Sequence, residues 1–132
     1  MTATINYFAF PGTKYIYIPM PNLTPEIINE VIIRNYDVSL SDMAGKIRKR
    51  EMVRLRQAAM YLLKKNTDLT LKDIGMAYGG RDHSTVIHAR KAVRNALQGY
   101  CDDIKTVYLE LEQSVMYEYL KMTKFEDNQI QE

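Results

Sequence analysis

Gly79-Gly80-Arg81-Asp82-His83-Ser84-Thr85-Val86-Ile87-His88-Ala89 is the stretch on which the fold of this 132-residue chain turns. Two consecutive glycines stop the helix before them, and Asp82 or Ser84 offers an N-cap for the helix after them. Downstream, Val86, Ala89, Val93 and Leu97 recur at helical spacing, which gives the second helix one buried face. Upstream, Thr70 and Asp73 are three residues apart, the spacing of a reciprocal capping pair, and Leu71 and Ile74 face inward. Two short helices joined by a glycine-containing turn make a helix-turn-helix unit.

Working outward, Thr24-Pro25-Glu26 is a helix start, with proline at the first helical position and an acid in the first turn. Ile27, Ile28, Val31 and Ile32 stripe that helix, which is expected to end near Asn35. Ser39 and Asp42 cap a brief helix ending near Gly45, and a basic connector occupies residues 46–50. The next helix is expected over about residues 51–66, with Val53, Ala59, Met60, Leu62 and Leu63 apolar. After Gly99 a long last helix begins near Asp102. Its stripe is Ile104, Val107, Tyr108, Leu111, Val115, Tyr119 and Met122, with Glu110, Glu112 and Glu118 off it. That stripe is read as closing the domain's own core, with a dimer seam as the alternative. At the other end, Tyr7, Phe8 and Phe10 are separated from Tyr15, Ile16, Tyr17 and Ile18 by Pro11-Gly12-Thr13-Lys14, so a short hairpin is expected. Its aromatics are read as packing, with a stacking platform for single strands as the alternative. The last residues, 125–132, are polar and expected to fray.

The net charge of +2 conceals a segregation. Between Gly45 and Arg94 stand thirteen basic residues against four acidic ones, a net of +9, while the remainder carries five against twelve, a net of −7. A basic block of this kind is the footprint of a polyanion-binding surface or, alternatively, a solvated basic face. Cys101 is the only cysteine, which excludes an intramolecular disulfide and suits a reducing compartment. No apolar run approaches the ~20 residues that cross a bilayer, and residues 1–10 place no Lys or Arg ahead of their apolar residues, unlike a signal peptide. A cytoplasmic protein is expected.

At the start of the second helix of the unit, Ser84, Thr85, His88 and Lys91 stand away from the Val86, Ala89, Val93 stripe, with Arg81, Asp82 and His83 at its N-terminal end. A recognition helix uses its N-terminal residues on base edges in the major groove. Hydroxyls donate or accept there, the threonine methyl meets a thymine methyl, and a carboxylate accepts from cytosine N4. Capping is the competing role for Asp82, Ser84 and Thr85. His83 and His88 are five apart, about 140° around a helix, so they form no same-face metal pair. Asp82-His83-Ser84 are consecutive and diverge around the helix, so they form no catalytic triad. No catalytic residue, metal or cofactor is expected.

The quoted stretch resembles the signature of the C-terminal DNA-binding domain of DnaA, the bacterial chromosomal replication initiator. The similarity extends upstream through Arg54-Leu55-Arg56-Gln57-Ala58-Ala59-Met60-Tyr61-Leu62 and Thr70-Leu71-Lys72-Asp73-Ile74-Gly75. It spans about residues 25–115 in helix order and is dense over residues 48–89. The resemblance implies an all-α, Trp-repressor-like helix-turn-helix domain at residues 23–122. An aromatic hairpin or arm (1–22) would precede it, and a polar tail (123–132) would follow. It implies base reading by Asp82, His83, Ser84 and Thr85, with His88 one turn further on, and places Arg48 in the minor groove, where a basic arm suits a narrow A·T-rich duplex. Arg56, Gln57, Thr67 and the backbone near Leu71 match phosphate-contacting positions. Arg50, Lys64, Arg81 and Lys91 join them as basic neighbours. Leu55 and Lys72 stand where the family commonly has proline, and Arg90-Lys91-Ala92 departs from its usual order.

No G-x-x-x-x-G-K-[ST] sequence is present, so no nucleotide-driven initiator activity is expected of this chain. The expectation is a free-standing reader of double-stranded DNA at an A·T-rich, box-like site, acting in replication initiation or transcription. The N-terminal hairpin and C-terminal helix remain for a homodimer or a replication-protein partner. The competing reading is an adaptor whose basic face docks an acidic protein.

Overall fold

The structure is a computed structural model that describes residues 4–6, 15–45, 49–99 and 102–130. Two three-residue strands, β1 (Thr4–Asn6) and β2 (Tyr15–Tyr17), pair antiparallel with Ile5 opposite Ile16. The turn expected at Pro11-Gly12-Thr13-Lys14 lies outside the described residues. Six helices follow among the described residues: α1 (Pro25–Asn35), α2 (Leu40–Ala44), α3 (Arg50–Asn66), α4 (Leu71–Ala77), α5 (His83–Leu97) and α6 (Asp102–Ile130).

The starts of α1 and α2 obey local chemistry. The Thr24 hydroxyl accepts from the Ile27 N–H, with Pro25 in the first turn. At α2 the Ser39 hydroxyl accepts from the Asp42 N–H while the Asp42 carboxylate accepts from the Ser39 N–H. A five-residue helix is far below the length that holds itself together in water, so α2 depends on its neighbours.

α3 is the central element and packs against α5, α6, α4, α1 and α2. Its Leu55, Ala58, Ala59, Leu62 and Leu63 are fully buried, meeting Val86 and Val93 of α5, Ile28 and Ile32 of α1, and Leu111 and Val115 of α6. Each such Leu, Ile or Val contributes roughly 1.5–3 kcal/mol by leaving water. Leu55 and Ala58 were not among the apolar positions read from the sequence, whereas Val53 is only half-buried. Met20 and Leu23 of the segment before α1 also enter this core. Tyr17 packs on the body too: its hydroxyl donates to the Asn66 side-chain carbonyl, and Lys65 Nζ lies 3.9 Å from its ring centroid.

Three expectations about α6 need correction. Glu112 is wholly buried, not off the inward stripe. It sits one turn beyond Tyr108, whose hydroxyl donates to Glu112 Oε2, and Lys65 Nζ lies 3.1 Å from the same oxygen. These two donors make a buried carboxylate tolerable at a position whose spacing is inward. Glu112 Oε1 has no hydrogen-bond partner among the described residues. Burial pushes the Glu112 carboxyl up to about 8 and the Lys65 ammonium down to about 8. Second, Met122 is exposed, and among the described residues the inward stripe reaches Tyr119. Third, α6 continues to Ile130 through the segment read as a fraying polar tail; no glycine or proline interrupts it. α6 packs on α1, α3 and α5, closing the domain's own core. No helix among the described residues is long and apolar enough to cross a membrane.

Candidate nucleic-acid interface

The turn between α4 and α5 is built by close backbone approach. The Thr70 hydroxyl accepts from the Asp73 N–H and the Asp73 carboxylate accepts from the Thr70 N–H, which starts α4. Gly79 and Gly80 then take φ of +86° and +70°, a region that side chains with a Cβ avoid. The chain folds back so tightly that the Arg81 N–H donates to the Gly75 carbonyl at 2.8 Å. A Cβ on Gly75 would lie 2.1 Å from the Arg81 carbonyl oxygen, and one on Gly79 would lie 2.0 Å from that of Ala44.

α5 leaves this turn with Val86, Ala89, Val93 and Ala96 buried. Asp82, just before it, and His83, Ser84, Thr85 and His88, in its first two turns, are all exposed, with Ser84 and His88 opposite the buried stripe. The residues expected to read bases are therefore all solvent-facing near the start of α5. Asp82 is the N-cap by backbone position, but its side chain makes no capping bond, contrary to the capping role. Its carboxylate accepts from the Ser84 hydroxyl at 3.0 Å and lies 2.9 Å from His83 Nδ1. The Ser84 hydroxyl is the main cause that holds the Asp82 carboxyl below its usual range, followed by the backbone of His83. An ionised carboxylate is purely an acceptor.

This first turn of α5 stands between two grooves. One, of about 520 Å³, is lined by Val53, Arg56, Gln57, Arg81, Thr85 and His88 among others. The second, of about 580 Å³, includes Lys64, Thr70, Lys72, Met76, Asp82 and His83. Lys72 and Met76 were not among the sequence candidates; Met76 is 64% exposed. They stand four apart on α4, and that spacing opposite Ile74 is the signal that could have found them.

The phosphate-contact candidates separate into two groups. Arg50 and Lys91 are exposed, Gln57 lines the first groove, and Leu71 opens the first turn of α4. The others are turned to internal partners. Arg56 is only 4% exposed, with Nε donating to the Met43 carbonyl at 2.9 Å and Nη2 to that of Asp42. Arg81 donates to the carbonyls of Tyr78 and Gly45. Lys64 donates to the Leu69 carbonyl, and the Thr67 hydroxyl donates to that of Leu63 as α3 ends. In the free chain these groups thus donate to backbone carbonyls, and for Arg56 and Arg81 those include the carbonyls that close α2, which lack intrahelical donors. Arg48 lies outside the described residues.

Comparison with known proteins agrees with this geometry. The family model described as "Bacterial dnaA protein helix-turn-helix" matches residues 25–93. The chain is 44% identical over 73 residues, 54% of its length, to the chromosomal replication initiator protein DnaA of Crocosphaera subtropica, covering 16% of that protein. It is 40% identical over 85 residues, 64% of its length, to the DnaA of Chlorobaculum tepidum, covering 17% of that protein. With the DnaA of Chromobacterium violaceum it shares 46% identity over 71 residues, 54% of this chain and 15% of that relative. The chain thus spans about one sixth of the length of the relatives it matches.

Proposed function

The chain belongs to the bacterial DnaA protein helix-turn-helix family, and we propose that it binds double-stranded DNA sequence-selectively, with the first turn of α5 in the major groove. The observation that carries this reading is the exposed set Asp82, His83, Ser84, Thr85 and His88 at the start of α5. Those side chains supply acceptors, hydroxyl donors and a methyl group, the chemistry that distinguishes base pairs in the major groove. Arg48, in the connector after α2, enters the adjacent minor groove of an A·T-rich, box-like site. Lys91, Arg50, Gln57 and the backbone at Leu71 meet phosphates.

With ~5 phosphate contacts, log affinity falls with log salt at a slope of about −4 to −5. The action is binding without catalysis, in control of replication initiation or transcription. A gel shift with a box duplex, a scrambled duplex and a single strand tests it. The box duplex is expected to bind on the order of 10³-fold tighter than the scrambled one. Equal affinity for the two would overturn selective reading and favour an adaptor that docks an acidic protein on the basic face.

A further inference from the structure

We propose that Arg56 and Arg81 act as positioning residues, clamping the C-terminal end of α2 to the turn before α5 so that Gly45, which the basic connector follows in sequence, and the start of the reading helix are held in one register. The proposal rests on the DNA-binding reading above for its consequence, but the clamp itself is a property of the free protein.

The geometry starts from a weakness. α2 has five residues, and no basic side chain of its own stands in its last turn. Its final carbonyls have no intrahelical donors and carry partial negative charge. Two guanidinium groups from different elements converge on them. From α3, Arg56 donates to the carbonyls of Asp42 and Met43. From the turn, Arg81 donates to the Gly45 carbonyl at 2.6 Å while holding Tyr78 of its own turn. The carbonyl between them, that of Ala44, occupies the space left by the absent side chain of Gly79. Three of the four carbonyls at 42–45 are thus held by guanidinium groups from α3 and from the helix-turn-helix turn, and the fourth packs against Gly79.

Burial first, then the neighbouring Arg81, lowers the pKa of Arg56 from its usual value, so the two like charges are close enough to oppose one another. Residues placed only to present charge to DNA would not be driven inward against such a cost; the cluster of carbonyls offsets it. Two consequences follow from chain order. The chain leaving Gly45 runs directly into the basic connector, and Arg81 immediately precedes Asp82, the N-cap of α5. One side chain therefore links the root of the connector to the root of the reading helix. A lysine keeps the charge but lacks the planar fork that spans two carbonyls.

That difference supplies the test, with Arg81→Lys as first variant and Arg56→Lys as second should the first lose its fold by circular dichroism. In the free protein, hydrogen exchange at the amides of Met43, Ala44 and Gly45 is expected to quicken about 10-fold or more. Core amides of α3 and α5 should be unchanged, as in local opening. On DNA, the ratio of box to scrambled affinity is expected to fall about 10-fold with the salt slope unchanged, because no phosphate contact is lost. Unchanged exchange at those three amides, or a preserved box preference, would overturn the clamp. A wild-type chain that shows no box preference sinks the DNA reading instead, and the exchange experiment still decides the clamp.

Discussion

Replacing Gly79 or Gly80 with alanine separates two costs that the turn before α5 combines. Both residues have positive φ, so each alanine carries about 1–2 kcal/mol of left-handed backbone strain. Each also stiffens the unfolded chain, which returns about 0.4–1 kcal/mol. For Gly80 nothing lies within 4 Å of an added Cβ, so the net loss is about 1 kcal/mol. For Gly79 the added Cβ lies 2.0 Å from the Ala44 carbonyl oxygen, roughly 1.5 Å inside an ordinary contact. That oxygen cannot retreat cheaply, since its flanking carbonyls are held by Arg56 and Arg81. Overpacking of this sort adds about 1–3 kcal/mol, for a total near 2–4 kcal/mol. Urea titrations followed by far-ultraviolet circular dichroism read the difference directly, and melting temperatures are expected to follow in the same order. A Gly79→Ala variant as stable as Gly80→Ala would refute the close approach of α2 to the turn.

Glu112→Gln tests the buried carboxyl. Burial raises its pKa from 4.5 to about 8, so between those values the folded chain keeps a proton that the unfolded chain releases. The stability linked to this group is complete below about pH 4.5 and is lost as pH rises toward 8. Glutamine does not titrate, so urea-derived stability of the wild type should fall relative to the variant from pH 5 to 8, by on the order of a few kcal/mol; parallel profiles would contradict it. Above pH 8 the depressed Lys65 works in the opposite sense, as its own charge is relieved. On the interface, Thr85→Ala is expected to cost about 1–3 kcal/mol of discrimination between bases while leaving the salt slope alone. Lys91→Ala should weaken box and scrambled duplexes alike and reduce the slope by about one. Selection patterns identical to wild type for Thr85→Ala, or an unchanged slope for Lys91→Ala, would misplace those contacts.

Helix order and boundaries were readable because each start carries its own local signal. Thr24 and Pro25, Ser39 with Asp42, and Thr70 with Asp73 act within four residues, and the structure has α1, α2 and α4 where those pairs put them. The buried face of α5 was readable for the same reason: Val86, Ala89 and Val93 recur at helical spacing and are buried, while His83, Ser84, Thr85 and His88 are exposed. What escaped is long-range and electrostatic. Glu112 looked solvent-facing because it is charged, and only Lys65, forty-seven residues away, and the Tyr108 hydroxyl make its burial acceptable. Arg56 and Arg81 look like phosphate ligands in any basic helix-turn-helix sequence. In the free chain Arg56 donates to carbonyls of α2 and Arg81 to those of Gly45 and Tyr78, and carbonyls leave no mark in side-chain patterning. Gly79 read as a helix stop and Gly75 drew no reading of its own, whereas both let backbone approach backbone.

The central claim is selective reading of duplex DNA by the first turn of α5. Selection of bound duplexes from a random pool, with the wild-type chain and the Thr85→Ala variant in parallel, tests it most directly. The wild type is expected to enrich an A·T-rich, box-like sequence, and the variant to lose preference at one or two adjoining positions within it. Recovery of an unenriched pool by the wild type, or of the same sharp motif by both, would contradict it.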